Sequence, residues 1–156
     1  MRGENQSTQS MFCYVSPETM VPKDHPLRSL KVMVDAALKE ISVHFDAIYS
    51  HTGRPSIPPE KLLKASLLQA FFTIRSERQL VEQIGYNLLF RWFLDMALDE
   101  KPWDATVFSK NRDRLLKAEI SAHFFAAVLA QARREQLLSS EHFTVDGTLL
   151  EAWASI

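Results

Sequence analysis

The chain has 156 residues, with 18 Lys plus Arg against 19 Asp plus Glu, which gives a net charge of −1. That balance excludes a global basic field, so any nucleic-acid role must rest on a local patch. Cys13 is the one cysteine, which excludes an internal disulfide and a cysteine-built zinc cluster.

Residues 1–24 read as an N-terminal arm: polar MRGENQSTQS, then MFCYVSPETMVP. Pro17 and Pro22 keep helices short there, and Phe12 and Tyr14 offer anchors onto a body. The polar start lacks the apolar core of a signal peptide, and no apolar run approaches the roughly 20 residues of a bilayer span. With one cysteine, this points to a cytoplasmic protein and to no membrane partner.

Residues 25–140 read as a helical domain. Its first long helix is predicted from about Pro26 to Tyr49, with Asp24 as N-cap. Leu27, Leu30, Val34, Leu38, Ile41, Phe45 and Ile48 step by three or four and form one apolar stripe, widened by Val32, Met33 and Val43. His25, His44 and His51 form no known ligand arrangement with a carboxylate, so surface or capping roles are expected of them. HTGRPSIPPE (51–60) is a linker, because Gly53, Pro55, Pro58 and Pro59 forbid a continuing helix. The second helix, Pro59 to Ile74, is apolar almost all round, which predicts a central buried element.

The stretch RSERQLVEQIGYNLLFRWF (75–93) organises the rest. Ser76 is an N-cap, and Glu77 complements the positive end of a helix dipole. Leu80, Val81 and Ile84 share one face. Gly85 is expected to stop this helix in a left-handed conformation, and Asn87 to cap a second one. Leu88, Leu89, Trp92, Phe93 and Met96 are the predicted buried stripe of that second helix. Two short helices around a tight corner are similar to a helix-turn-helix.

Pro102 breaks the chain again, and Asp104 or Thr106 can cap ATVFSKNRDRLLKAE. Val107, Phe108, Leu115 and Leu116 supply its buried side. Lys110, Arg112, Arg114 and Lys117 gather around a single acid, Asp113. Cations neutralise phosphate and an amide such as Asn111 can read an adenine edge. The candidate DNA contacts are therefore Arg75, Arg78, Arg91, Lys110, Asn111, Arg112, Arg114 and Lys117. The competing reading is a solvated basic face paired with Glu77, Asp95 or Glu119. A last amphipathic helix is expected from Glu119 to Leu138, with Ile120, Phe124, Phe125, Val128, Leu129 and Ala132 packing inward.

Residues 141–156 change period. Asp146-Gly147 between apolar runs is a hairpin signal, and a lone hairpin needs a sheet to join. The expected fold is mainly α: a compact multi-helix domain with a helix-turn-helix-like core and a short C-terminal β-hairpin.

The motifs VPKDHPLR, GRPSIPPEKLL, RSERQLVEQIGYNLLFRWF, WDATVFSKNRDRLL and LLSSEHFTVDGTLLEAWAS, in this order, resemble the N-terminal part of bacterial insertion-sequence transposases of the InsH-like, IS-five superfamily type. The resemblance implies a helical domain that binds the terminal inverted repeats of an element, followed by an RNase H-like domain with a DDE carboxylate triad. Asp146, in VDGT, matches the first carboxylate of that triad and would be a ligand for Mg²⁺ or Mn²⁺ in a complete enzyme. Two-metal strand transfer needs several carboxylates. The second Asp and the Glu of the family are not in this sequence, so the chain reads as truncated and without catalysis of its own. Double-stranded DNA, a homodimer mate and a full-length transposase are the implied partners, with no small-molecule substrate. The alternative to DNA binding is a helical interaction or dimerisation module using Phe90, Trp92, Phe93 and Trp103, or a decayed remnant without activity.

Overall fold

A computed structural model describes residues 15–49, 56–117 and 119–137, excluding the side chains of residues 46–48 and 117. Seven helices occur among them: α1 (Pro17–Met20), α2 (Leu27–Ile48), α3 (Pro59–Phe71), α4 (Glu77–Tyr86), α5 (Leu88–Phe93), α6 (Ala105–Lys117) and α7 (Ile120–Arg134). The mainly helical expectation holds among the described residues. Phe12, Tyr14, Arg54 and the 141–156 hairpin lie outside them.

α3 is the hub. Every residue from Leu62 to Leu68 is buried, and the helix touches α2, α4, α5 and α6. An element that is apolar on nearly all sides has no better place than the middle of a bundle. Two polar side chains share that burial. Ser66 donates its hydroxyl hydrogen to the Leu62 carbonyl at 3.0 Å, which satisfies it within its own helix. Lys64 reaches Asp35 and Asp95.

α2 and α7 form the most extensive helix pair. The α2 stripe is buried at Leu27, Val34, Leu38, Ile41 and Phe45. Val32 and Val43, expected to widen it, face outward at 71% and 72% exposure, because the buried arc covers only one side of the helix. Leu129 of α7 and Val107 of α6 are also exposed rather than packed. Asp24 makes no cap for α2. Pro26 holds the N-cap position without a side-chain bond, and His25 Nδ1 accepts from the Leu27 amide at 3.2 Å instead.

Three helices end in the same way. Thr73, Asp95 and Gln136 have positive φ values of 48°, 53° and 54°. The amides that follow them, on Ile74, Met96 and Leu137, donate back to the Gln69, Arg91 and Ala132 carbonyls at 2.9, 2.9 and 3.0 Å. This closure satisfies orphan carbonyls at a helix end and usually employs glycine. Here Thr, Asp and Gln carry it. It is also why α3 stops at Phe71 and not at Ile74.

Candidate nucleic-acid interface

The corner between α4 and α5 is built from three local features. Ser76 accepts from the Gln79 amide at 3.2 Å and so caps α4. Asn87, in an extended conformation, ends α4 and accepts from the Leu89 and Phe90 amides at 3.0 and 3.3 Å, which starts α5. Gly85 does not act as the expected left-handed stop. It lies inside the last turn of α4, which runs on to Tyr86. A Cβ placed on Gly85 would meet only Pro102 Cγ at 3.7 Å, ordinary van der Waals contact.

Arg91 locks this corner from inside. It is 3% exposed. Its guanidinium donates to the carbonyls of Ile84 (2.8 Å), Gly85 (3.2 Å), Ala97 (2.7 Å) and Leu98 (3.2 Å), and to that of Glu100. The first two are orphan carbonyls at the negative end of α4, so a buried cation is welcome there without a carboxylate. Arg91 is therefore removed from the candidate DNA contacts.

Asn111 is removed as well. It is 7% exposed, and its amide donates to the Val107 carbonyl one turn back at 2.8 Å. Arg112 is half-buried and paired with Glu77, and it also reaches Asp113 at 3.3 Å. Ser109 donates to Glu77 too. Glu77 thus clamps the first turn of α4 onto α6, and the pairing weighed against DNA contact is the one Arg112 makes. Lys117 closes α6, with its side chain outside the description, and Asp146 lies outside the described residues.

Four candidates stay on the surface. Arg75 and Arg78 flank the start of α4, and Lys110 and Arg114 stand on α6. None of the four has a carboxylate partner among the described residues. Arg114 lies over the Tyr49 ring, 5.5 Å from its centroid, which holds the side chain by a cation–π contact while leaving it exposed. Because α4 and α6 touch and Glu77 ties them, these cations ride on one connected scaffold.

A hollow of about 490 Å³ opens beside Arg75. Phe72, Ile74, Gln79, Glu82, Gln83 and Tyr86 line it with Arg75 and Thr73. The expectation that α4 stops at Gly85 leaves Tyr86 off the helix, which hides this hollow in the sequence. The legible signal was the spacing of Gln79, Gln83 and Tyr86, which places them on one face of α4.

Among the described residues no three His, Cys, Asp or Glu side chains come together to hold a metal ion. Nor is any single described helix long and apolar enough to cross a membrane. Of the aromatic surface expected for an interaction module, Phe90 and Phe93 are fully buried and Trp92 is 6% exposed, while Trp103 is half-buried and stacks on Phe108 with ring centroids 6.1 Å apart.

The architecture defines a mainly helical domain with exposed cations at the start of α4 and along α6. The chain belongs to the transposase domain family (DUF772), which matches residues 15–114. No curated protein and no solved structure matches the chain.

Proposed function

We propose that this domain binds double-stranded DNA at the terminal inverted repeats of an insertion element of the InsH-like, IS-five type. The observation that carries the reading is the set Arg75, Arg78, Lys110 and Arg114: exposed, free of acidic partners among the described residues, with Arg78 on α4, Arg75 just before it, and Lys110 and Arg114 on α6, which Glu77 ties to α4. Exposed cations on a rigid support neutralise phosphates without the further cost of ordering the backbone that carries them. Arg112 and Arg91 serve by holding that support. The α4–α5 corner is in this reading similar to a helix-turn-helix, and Glu77 holds the start of α4 against α6. In this reading Asp146 is one carboxylate of a DDE set, suited to Mg²⁺ or Mn²⁺, and strand transfer needs the other two.

The test is fluorescence anisotropy with the inverted-repeat duplex and a scrambled duplex at two salt concentrations. The expected result is tighter binding to the repeat, weakening with salt. Each of Arg78→Ala, Lys110→Ala and Arg114→Ala should lower the log–log salt slope by about 1. Identical slopes in all three variants would remove this face from the interface.

A further inference from the structure

We propose that the hollow between the end of α3 and the outer face of α4 is a site for one unpaired nucleotide of bound DNA. The inference rests on the DNA-binding reading above and extends it from phosphate contact to base capture.

The hollow combines three chemistries that a nucleotide needs. Tyr86 is 70% exposed and Phe72 is 41% exposed, so both rings offer π-faces to an incoming base. Phe72 is steadied from behind by Phe90, with ring centroids 4.9 Å apart and planes tilted by 58°. A large aromatic left open in a fold that buries Phe90, Phe93, Phe108 and Phe124 completely is an available stacking platform. The second chemistry is hydrogen bonding. Gln79 and Gln83 are one helical turn apart and carry both donors and acceptors, and Glu82 adds acceptors beside them. Amides can bond an adenine edge, and a carboxylate can accept from a cytosine amino group. The third is charge, since Arg75 stands at the rim next to Arg78 and the start of α4.

These polar groups are uncommitted. Among the described residues the side chains of Arg75, Gln79, Glu82, Gln83 and Tyr86 make no hydrogen bond or ion pair. The contrast is with α6, where Ser109, Asn111 and Arg112 are all engaged. The volume falls within the roughly 300–1,000 Å³ of sites that take small ligands. A paired base cannot enter, because its edge and faces are occupied in the duplex. An unpaired or extruded one can, and the cost of unstacking is least where the strand is already open. Charge argues for DNA over an acidic or apolar peptide. Arg75 and Arg78 suit a phosphate on either side of the captured base, while the floor is polar and not an apolar trough.

The experiment uses the full chain and a four-nucleotide single strand carrying 2-aminopurine, with the fully paired inverted-repeat duplex titrated in parallel. Stacking on an aromatic quenches 2-aminopurine, so the wild-type chain should quench the short strand. Tyr86→Ala should weaken that binding about tenfold, the size of one lost base–aromatic stack, and Gln83→Ala should weaken it less. Both substitutions are on the outer face of α4, and circular dichroism of the variants checks that the fold is kept. Tyr86→Ala should leave the paired-duplex affinity unchanged. Absence of quenching, or equal quenching by the wild type and Tyr86→Ala, overturns the nucleotide site. Loss of paired-duplex binding with quenching intact overturns the proposed function instead and leaves the site standing.

Discussion

Lys64 Nζ lies 2.6 Å from the Asp95 carboxylate, an ion pair that joins the middle of α3 to the residue that closes α5. Asp35 of α2 pairs with the same ammonium, and Lys31 Nζ is 2.6 Å from the other Asp95 oxygen. Two cations and two carboxylates thus bind three elements at one point. Asp95 occupies its left-handed position at φ 53°, where a short acidic side chain is tolerated better than most.

This cluster predicts how stability depends on pH. Burial alone would raise the Asp95 carboxyl, but hydrogen bonds from Lys31 and Lys64 outweigh it and hold it below the usual carboxylate value. Such a group stabilises above its unfolded value and loses that contribution as pH falls through the folded one. Burial likewise would lower Lys64, but bonds to Asp35 and Asp95 outweigh it and raise the ammonium above its ordinary 10.5. Its contribution is complete below that value and lost as pH rises beyond it. Urea titrations across pH should therefore show a plateau in the middle and a decline at each end. In Asp95→Asn the acid decline should shrink, and an unchanged acid limb would contradict the assignment.

Arg91→Ala should destabilise the domain by about 3 kcal/mol, because it strands the buried Ile84 carbonyl, takes a donor from the Gly85 and Ala97 carbonyls and empties the space of a buried side chain. Arg91→Lys should recover little of this. An ammonium has three donors on one atom and cannot span carbonyls on both sides of the corner as a planar guanidinium does. Chemical denaturation of the two variants gives the comparison. A lysine variant as stable as wild type would show that charge and not the fork matters.

Gly85→Ala separates the two readings of the α4–α5 corner. A left-handed glycine cap would be damaged by alanine. The helical position found for Gly85, with Pro102 no closer than 3.7 Å, predicts a gain of about 0.5–1 kcal/mol in stability. A rise in the melting midpoint is the expected outcome, and a fall would place Gly85 outside the helix.

Phe90→Ala should cost about 3–5 kcal/mol, since the side chain is fully buried in the core that α5 shares with α3 and α4. The same change at Tyr86, 70% exposed, should alter stability by less than about 0.5 kcal/mol. Thermal melts of the pair test whether the aromatic run of α5 is core and the neighbouring Tyr86 is surface.

Local signals along the chain define α2 to α7 and where each starts, while the short α1 falls within the stretch read as an arm. Apolar spacing is a local property, so α2, α3 and α7 were legible to within a few residues at their ends. Ser76, Asn87 and Asp104 announced their helices because a capping side chain bonds amides two or three residues away. Membership of the transposase domain family was legible for the same reason, since it resides in the order of short motifs. The fate of charged and polar side chains emerges only on packing, because most of their partners are distant in sequence. Composition gave Arg91, Asn111, Arg112 and Arg114 equal claims on DNA. Packing sent Arg91 to the carbonyls of the α4–α5 corner, turned Asn111 back onto its own helix, paired Arg112 with Glu77 and left Arg114 exposed over Tyr49. Helix ends closed by Thr73, Asp95 and Gln136 were hidden likewise: a positive φ at a residue other than glycine is imposed by the contacts that follow it, not by the residue itself.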